Sequence, residues 1–185
     1  MAVQQCPTVK LNAAVAEHLK KSGHFDDLPE WITDHKTAVF KEMSNYTNDW
    51  IFNRAAAVYR LIYLKNKHRK THHKKLGVGT LSKYFGGRDR RHHSPAHFRR
   101  GTRKHLRYIL QTFAKAGYVN NEDGENKFMI NGKGEQQLDL IAGDLLRQMR
   151  NELAKKKEAE EEEDEDEDED VDLGEEDEDD VGEFD

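Results

Sequence analysis

The strongest constraint on how this chain can fold is a division of charge between its two ends. Residues 158–185 contain 21 Asp and Glu and neither Lys nor Arg. Residues 1–157 hold the other 15 acids and all 30 Lys and Arg, so this body carries +15 although the whole chain carries −6. A segment that is this acidic and has so few apolar residues cannot form a hydrophobic core. We therefore expect one folded domain over residues 1–157 and a disordered acidic tail over residues 158–185.

Cysteine usage and hydropathy indicate the broad class of protein. Cys6 is the only cysteine, which excludes an internal disulfide and is typical of a reducing compartment. No run approaches the roughly 18 apolar residues of a membrane span, and the first residues lack the apolar core of a signal peptide. We expect a soluble intracellular protein with no membrane partner.

Apolar periodicity predicts a mainly α fold. The predicted helices cover about residues 9–21, 50–65, 103–116 and 135–153, with short helical turns near 29–31 and 81–85. The helix at 50–65 is apolar nearly all the way round, so it should be the buried central helix. Residues 118–119 and 127–130 flank a turn of Asn, Asp and Gly and should form a small β-hairpin. This order of elements is typical of a winged-helix-like domain.

Each long predicted helix has an apolar stripe that should face the core. The first helix should bury Val9, Ala13, Ala16 and Leu19. The helix at 103–116 should bury Leu106, Ile109, Leu110 and Phe113. The last helix should bury Leu138, Ile141, Ala142, Leu145, Met149 and Leu153. Thr80 and Thr102 are the expected N-caps of the helices that follow them, and Gly117 the expected left-handed terminator.

A dense basic stretch predicts the kind of partner. Residues 65–107 hold 15 Lys and Arg against a single acid, Asp89. Such a stripe on a foldable chain indicates a polyanion. Gly77 and Gly79 precede a predicted helix and could let backbone N–H groups approach a phosphate, although their spacing fits neither a P-loop nor a dinucleotide fingerprint.

The segment from Ser94 to Lys104 is the second candidate contact. Ser94 before Pro95 predicts the start of a helical turn. The arginines that follow can neutralise several phosphates, and His97 and Phe98 offer stacking surfaces. The alternative is that Phe98 belongs to the core and the arginines form a solvated face.

Enzymatic and metal sites are not predicted. The ten histidines lack the cysteines or carboxylates that would complete a metal site, and no carboxylate pair sits in an apolar context. We expect no catalytic residues, no cofactor and no small-molecule substrate. Arg54 and Arg60 lie on the apolar central helix, where each must either reach its edge or meet a phosphate or carboxylate.

Five motifs in order resemble one family. They are residues 48–56, 77–79, 84–88, 95–101 and 138–142. They are similar to the small-subunit ribosomal protein nineteen family of eukaryotes and archaea, over about residues 8–150. The resemblance implies a fold related to the winged helix, a non-enzymatic role in the head of the small subunit and a part in maturing the rRNA precursor. The long basic loop at 65–76 and the acidic tail depart from that family.

The resemblance also implies residue roles. Trp50 looks like a fold position, whereas Arg54, Arg60, Arg100 and Arg107 look like rRNA or assembly contacts. With the basic stretch, the predicted RNA-binding set is Arg54, Arg60, Lys67, Arg69, Lys70, Lys74, Lys75, Lys83, Arg88, Arg90, Arg91, His97, Arg99, Arg100, Arg103, Lys104 and Arg107. The predicted structural core includes Trp31, Trp50, Phe52, Tyr63, Leu106 and Leu110.

The expected partners are small-subunit rRNA, its precursor and neighbouring ribosomal proteins. The expected location is the cytoplasmic ribosome, with passage through the nucleus and nucleolus during assembly. The main alternative is a winged-helix DNA-binding regulator, and a further one is a histone-chaperone-like protein that acts through its tail. For the tail itself two interpretations stay open: it competes with RNA for the basic face, or it is a solvated extension.

Overall fold

A computed structural model of the chain describes residues 2–25, 28–47, 49–67, 76–91, 93–121 and 127–172. For Arg91 and residues 158–172 it describes the backbone alone. The chain divides into two compact units, Met1–Leu145 and Leu146–Asp185. The first holds the strands, and the described residues of the second, 146–172, belong to the last helix.

The described residues form seven helices and five strands. In chain order they are α1 (Ala2–Gln5), α2 (Thr8–Lys21), α3 (Trp31–Asp34), α4 (Trp50–Lys67), β1 (Leu76–Gly77), α5 (Val78–Tyr84), β2 (Gly87–Arg91), β3 (Ser94–Arg99), α6 (Lys104–Lys115), β4 (Val119–Asn120), β5 (Lys127–Ile130) and α7 (Gly132–Asp172). One antiparallel sheet has the order β1-β5-β4, and β2 and β3 form a separate two-stranded ribbon. The prediction of a mainly helical fold with a small hairpin is confirmed.

Helix α4 is the buried centre of the first unit, as its apolar composition predicts. Eight of its residues are buried, among them Phe52 and Tyr63. Two phenol groups attach it to α7: Tyr59 Oη donates to the carbonyl of Gly134 at 2.7 Å, and Tyr63 Oη donates to Asp139 at 2.7 Å. These bonds satisfy polar atoms that burial would otherwise strand, so they fix how α4 and the start of α7 pack.

Helix α6 supplies the second layer of the core. Its apolar stripe is fully buried, as predicted: Leu106, Ile109, Leu110 and Phe113. Burying each of these side chains contributes roughly 1.5–3 kcal/mol relative to leaving it in water. The helix ends before Gly117, whose φ of 75° is the left-handed conformation expected of a glycine terminator.

Helix α2 buries two of the four residues predicted, Ala16 and Leu19, but the rest of its buried face differs. Val9 is 82% exposed and Ala13 is exposed, whereas Leu11, Val15, Ala16 and Leu19 are buried. Both stripes have helical spacing, so periodicity alone cannot choose between them. The observed stripe removes the larger aliphatic side chains from water, which decides the orientation.

Both predicted threonine caps are wrong. Helix α5 begins at Val78, with Gly77 in the N-cap position, so Thr80 lies inside its first turn. Helix α6 begins at Lys104, and the Thr102 hydroxyl instead donates to the carbonyl of Lys36 at 2.9 Å. Helix α5 thus starts as soon as β1 ends, and its first residue, Val78, is buried.

The predicted helical turn at Ser94 is also wrong, because Ser94–Arg99 is strand β3. Pro95 is tolerated there because, within the described part of the chain, β3 pairs on one side only, with β2. All six residues of β3 are exposed, so the strand lacks the alternation of polar and apolar residues that normally reveals a strand in a sequence.

Helix α7 is longer than predicted. It begins at Gly132 and continues to Asp172, so helical backbone extends into the acidic segment. Leu138 and Ala142 are buried as predicted, whereas Leu153, in the second unit, is exposed. The other three predicted residues are half-buried: Ile141, Leu145 and Met149. Residues 173–185 of the predicted disordered tail lie outside the described residues. Among the described residues, the helices are too short or too polar to cross a membrane.

Candidate nucleic-acid interface

A concave surface of about 780 Å³ brings together cations from three parts of the chain. We call it the basic groove, and its lining residues are Gly77, Val78, Gly79, Thr80, Lys83, Arg100, Arg103, Arg107 and Lys127. Five of these nine residues are cationic and none is acidic. The groove therefore has the charge and shape to receive a polyanion.

The sequence builds the α6 wall of the groove by helical periodicity. Arg103 precedes the first turn of α6 and Arg107 lies four residues further, so their side chains share one side of the helix. The buried stripe that contains Leu106 and Leu110 faces the core instead. Arg100, Arg103 and Arg107 are exposed, so their guanidinium groups are hydrated and available for a ligand.

A close backbone contact holds the two walls of the groove together. The Gly101 N–H donates to the carbonyl of Ser82 at 2.8 Å, and the Ser82 hydroxyl donates back to the carbonyl of Gly101. A Cβ at Gly101 would lie 2.8 Å from the carbonyl oxygen of Phe85, so only glycine fits without a shift. This junction fixes the spacing between Lys83 on α5 and Arg100.

Lys127 is the lining cation that sequence reasoning missed. Its neighbours at positions 122–123 are acidic, and it lies twenty residues beyond the basic stretch. Only the pairing of β5 with β1, which places Lys127 opposite Gly77, brings it to the groove. The space beside Gly79 is open, since a Cβ placed there would meet nothing within 4 Å. The approach of a phosphate to this glycine stays a prediction.

The β2–β3 ribbon carries a second group of predicted contacts. Arg88, Arg90, His97 and Arg99 are exposed on it, and Asp89 forms an ion pair with Arg99 at 3.5 Å. The single acid of the basic stretch is therefore held within the ribbon itself.

Arg54 is half-buried and does not line the basic groove. Its guanidinium stacks over the ring of Phe85, with 4.2 Å between its Cζ and the ring centroid. Burial lowers the pKa of Arg54 from its ordinary value. Arg60 is also half-buried, and its Nε has no hydrogen-bond partner among the described residues. The sequence did not determine what Arg54 contacts, and in the structure its contact is the ring of Phe85.

Other predicted contacts have partners within the protein or lie outside the described residues. Lys67 forms an ion pair with Glu135 at 2.9 Å, and Glu135 also accepts a hydrogen bond from Asn66 at 2.6 Å. The ammonium group of Lys104 lies 4.4 Å from the centroid of Trp31. The side chain of Arg91 is not described, nor are Arg69, Lys70, Lys74 and Lys75.

Trp31 and Trp50 belong to an aromatic cluster at the start of α6. Both are half-buried, and they contact His35, His105 and Tyr108 through edge-to-face or stacked rings. His35 Nε2 and His105 Nδ1 are 3.1 Å apart and share a hydrogen bond. Burial, together with the charge of Arg54 and the neighbouring His35, lowers the pKa of His105 to about 3. His105 is therefore neutral at physiological pH.

Metal-ligating side chains do not cluster in the part of the chain that the structure describes. No group of three or more His, Cys, Asp or Glu side chains there could hold an ion.

Comparison with known proteins identifies the family. The sequence model of the ribosomal protein S19e family matches residues 2–148. The chain belongs to the ribosomal protein S19e family. It is 38% identical over 130 residues to small ribosomal subunit protein eS19 of Oryza sativa subsp. japonica, which covers 70% of this chain and 82% of that relative. It is 35% identical over 148 residues to protein eS19A of Schizosaccharomyces pombe, with coverages of 80% and 96%.

Membership in the S19e family confirms the resemblance found in the sequence motifs. It also establishes that the chain is a structural ribosomal protein and not an enzyme. The matched region, residues 2–148, contains the basic groove, the ribbon and the aromatic cluster. The acidic tail, residues 158–185, lies entirely beyond the match, so the family does not account for it.

Proposed function

We propose that this S19e protein is a structural component of the small ribosomal subunit that binds small-subunit rRNA in the head of the subunit. We further propose that it supports maturation of the rRNA precursor and assembly of the subunit. The observation that carries the proposal is the basic groove, in which five cations line one concavity without an acid among the lining residues.

The groove would bind RNA mainly through the phosphate backbone. Arg100, Arg103 and Arg107 each present a planar guanidinium that can hold a phosphate through two hydrogen bonds. Each neutralised phosphate releases condensed counterions, so the affinity should fall steeply as salt rises. Side chains cannot read the deep, narrow major groove of an RNA helix, so shape and backbone contacts should set the placement.

Neighbouring ribosomal proteins are the second class of proposed partner. Val39, Met43 and Tyr46 are exposed in the segment between α3 and α4, and none of them lines the basic groove. Apolar side chains grouped in one segment are a common contact for other proteins. We place the protein on cytoplasmic ribosomes, with passage through the nucleus and nucleolus during assembly.

Sedimentation of a cell extract tests the proposal. We expect the full-length protein to migrate with small subunits and their precursors, and depletion to slow the appearance of mature small-subunit rRNA. A protein that stays at the top of the gradient would contradict the proposal. Competition with duplex DNA distinguishes the regulator alternative, since a DNA-binding regulator would be displaced more readily by duplex DNA than by rRNA.

A further inference from the structure

Phe98 is a large aromatic side chain on a strand with no buried residue. It is 57% exposed, and the other five residues of β3 are exposed as well. Strand β3 therefore does not belong to the core, and Phe98 is not the visible edge of a buried cluster. An exposed ring on a basic surface offers an apolar face on which an aromatic base can stack.

The backbone at Gly86, the residue before β2, supports the ring. A Cβ at Gly86 would lie 2.7 Å from Cζ of Phe98 and 2.5 Å from the carbonyl oxygen of Arg99, so the ring edge rests on bare backbone. At the next position, a Cβ at Gly87 would lie 2.8 Å from the ring of Phe40. Because the base of the ribbon packs this closely, Phe98 is held in place before any ligand arrives, which reduces the entropy lost on binding.

The strand register decides which charges flank the ring. Arg88 is directly opposite Phe98 in the ladder, so their side chains share one face of the ribbon. Asp89 is opposite His97, on the other face, where Arg99 pairs with it. The face of Phe98 therefore carries a guanidinium, while the ribbon's acid lies on the reverse side.

We propose that Phe98 and Arg88 form a stacking site for one unpaired nucleotide of RNA. The ring of Phe98 stacks on the base, and Arg88 contacts an adjacent phosphate. A base inside a duplex is already stacked on its neighbours, so the site selects a bulge, loop or strand end. This inference rests on the proposed function, because its ligand is RNA, and adds that the ribbon recognises unpaired bases while the groove binds backbone phosphates.

The test compares two RNA probes with the full-length protein. One is a hairpin with a single bulged 2-aminopurine, and the other is the same hairpin fully paired. We expect wild type to bind the bulged probe more tightly and to change its fluorescence on stacking. Phe98→Ala and Phe98→Leu should each lower the affinity for the bulged probe roughly 10- to 100-fold, the range typical of losing one base stack. Phe98→Tyr should keep both the affinity and the fluorescence change.

The paired probe and the leucine variant separate base stacking from a fold defect and from a protein contact. Equal weakening of both probes by Phe98→Ala would overturn stacking and indicate a fold defect, which thermal unfolding would reveal. If Phe98→Leu binds the bulged probe as tightly as wild type, the ring does not stack on a base, and a contact with another protein becomes the better explanation of its exposure. Arg88→Gln should lower the affinity for the bulged probe and make that affinity less dependent on salt concentration.

The two proposals fail in different ways. If the bulge preference is absent but Arg103→Ala and Arg107→Ala still weaken both probes, only the stacking site is wrong. If the groove variants leave both affinities unchanged, the proposed rRNA-binding function is wrong as well. If wild type binds neither probe at low salt, both proposals are wrong.

Discussion

Arg54 and Arg103 are the same residue type in one basic protein, yet the structure gives them opposite surroundings. Arg103 is exposed in a groove with four other cations, whereas Arg54 is half-buried against the ring of Phe85. The half-buried guanidinium already has a partner and contributes to packing. The exposed one lies among like charges until a polyanion binds. Sequence and family resemblance grouped these arginines together, and burial separates them.

The largest expected effect follows from removing the groove cations. Arg100→Ala, Arg103→Ala and Arg107→Ala combined should weaken rRNA binding by roughly 10²–10³-fold and lower the salt slope by about 2–3, because each phosphate contact contributes nearly one unit. The unfolding free energy should stay within about 0.5 kcal/mol of wild type, since all three side chains are exposed. Filter binding at several salt concentrations and urea unfolding measure the two quantities.

A charge-matched control isolates the groove. Lys21, Lys36 and Lys115 are exposed and do not line the groove, and replacing all three with alanine removes the same total charge. If this control loses as much affinity as the groove variant, the binding depends on net charge and not on the groove.

Arg54→Ala should have the reverse pattern. Loss of the cation–aromatic contact and of the side chain's packing should lower the unfolding free energy by about 1–3 kcal/mol. The RNA affinity per folded molecule should stay near wild type. Urea denaturation and binding below the unfolding midpoint measure these effects, with Arg54→Lys as the charge-preserving control. Wild-type stability together with weakened RNA binding would place Arg54 among the RNA contacts.

The burial of His105 beside Arg54 also predicts a pH dependence of stability. Burial first, and then the charge of Arg54 and the neighbouring His35, lower the pKa of His105 to about 3, so its ring is neutral in the folded state. The unfolded state protonates His105 near pH 6.5, so stability is full above that pH and is lost as the pH falls toward 3. Between pH 7 and pH 5 the loss should be about 2 kcal/mol, and the lowered pKa of His35 acts in the same direction.

Urea unfolding at a series of pH values measures this loss. His105→Gln should flatten the pH dependence, whatever its effect on stability at pH 7. An equally steep dependence in that variant would show that another group is responsible.

The smallest effect is expected at Lys67, a predicted RNA contact that is ion-paired with Glu135. The two side chains are 32% and 24% exposed, so water weakens their attraction. A double-mutant cycle with Lys67→Ala and Glu135→Ala should give a coupling of about 0.2–1 kcal/mol in unfolding. Lys67→Ala should weaken RNA binding less than any single groove variant, and a larger loss would move Lys67 into the RNA interface.

The core could be predicted because its patterns are local. Helix α4 is apolar around its circumference and α6 has a regular stripe, so burial follows directly from composition and spacing. The ribbon could not be predicted, since none of its described residues is fully buried and its sequence does not alternate polar with apolar residues. The buried face of α2 was ambiguous because two stripes had helical spacing. The observed orientation is the one that removes more apolar side-chain area from water.

The candidate site was predictable only in part. Charge density identified Lys83, Arg100, Arg103 and Arg107, which the structure brings into one groove. Lys127 required the pairing of β5 with β1, a contact between residues about fifty positions apart that no local pattern encodes. The stacking of Arg54 likewise depends on Phe85, which comes from another helix end.

Incorporation into small subunits tests the role of the groove most directly. Tagged wild type, the triple alanine variant at Arg100, Arg103 and Arg107, and the lysine control would be expressed beside the endogenous protein and separated on a gradient. We expect wild type and the control to migrate with small subunits and their precursors, and the groove variant to remain at the top although it is folded. Incorporation of the groove variant at the wild-type level would contradict the claim that this groove holds the protein on rRNA.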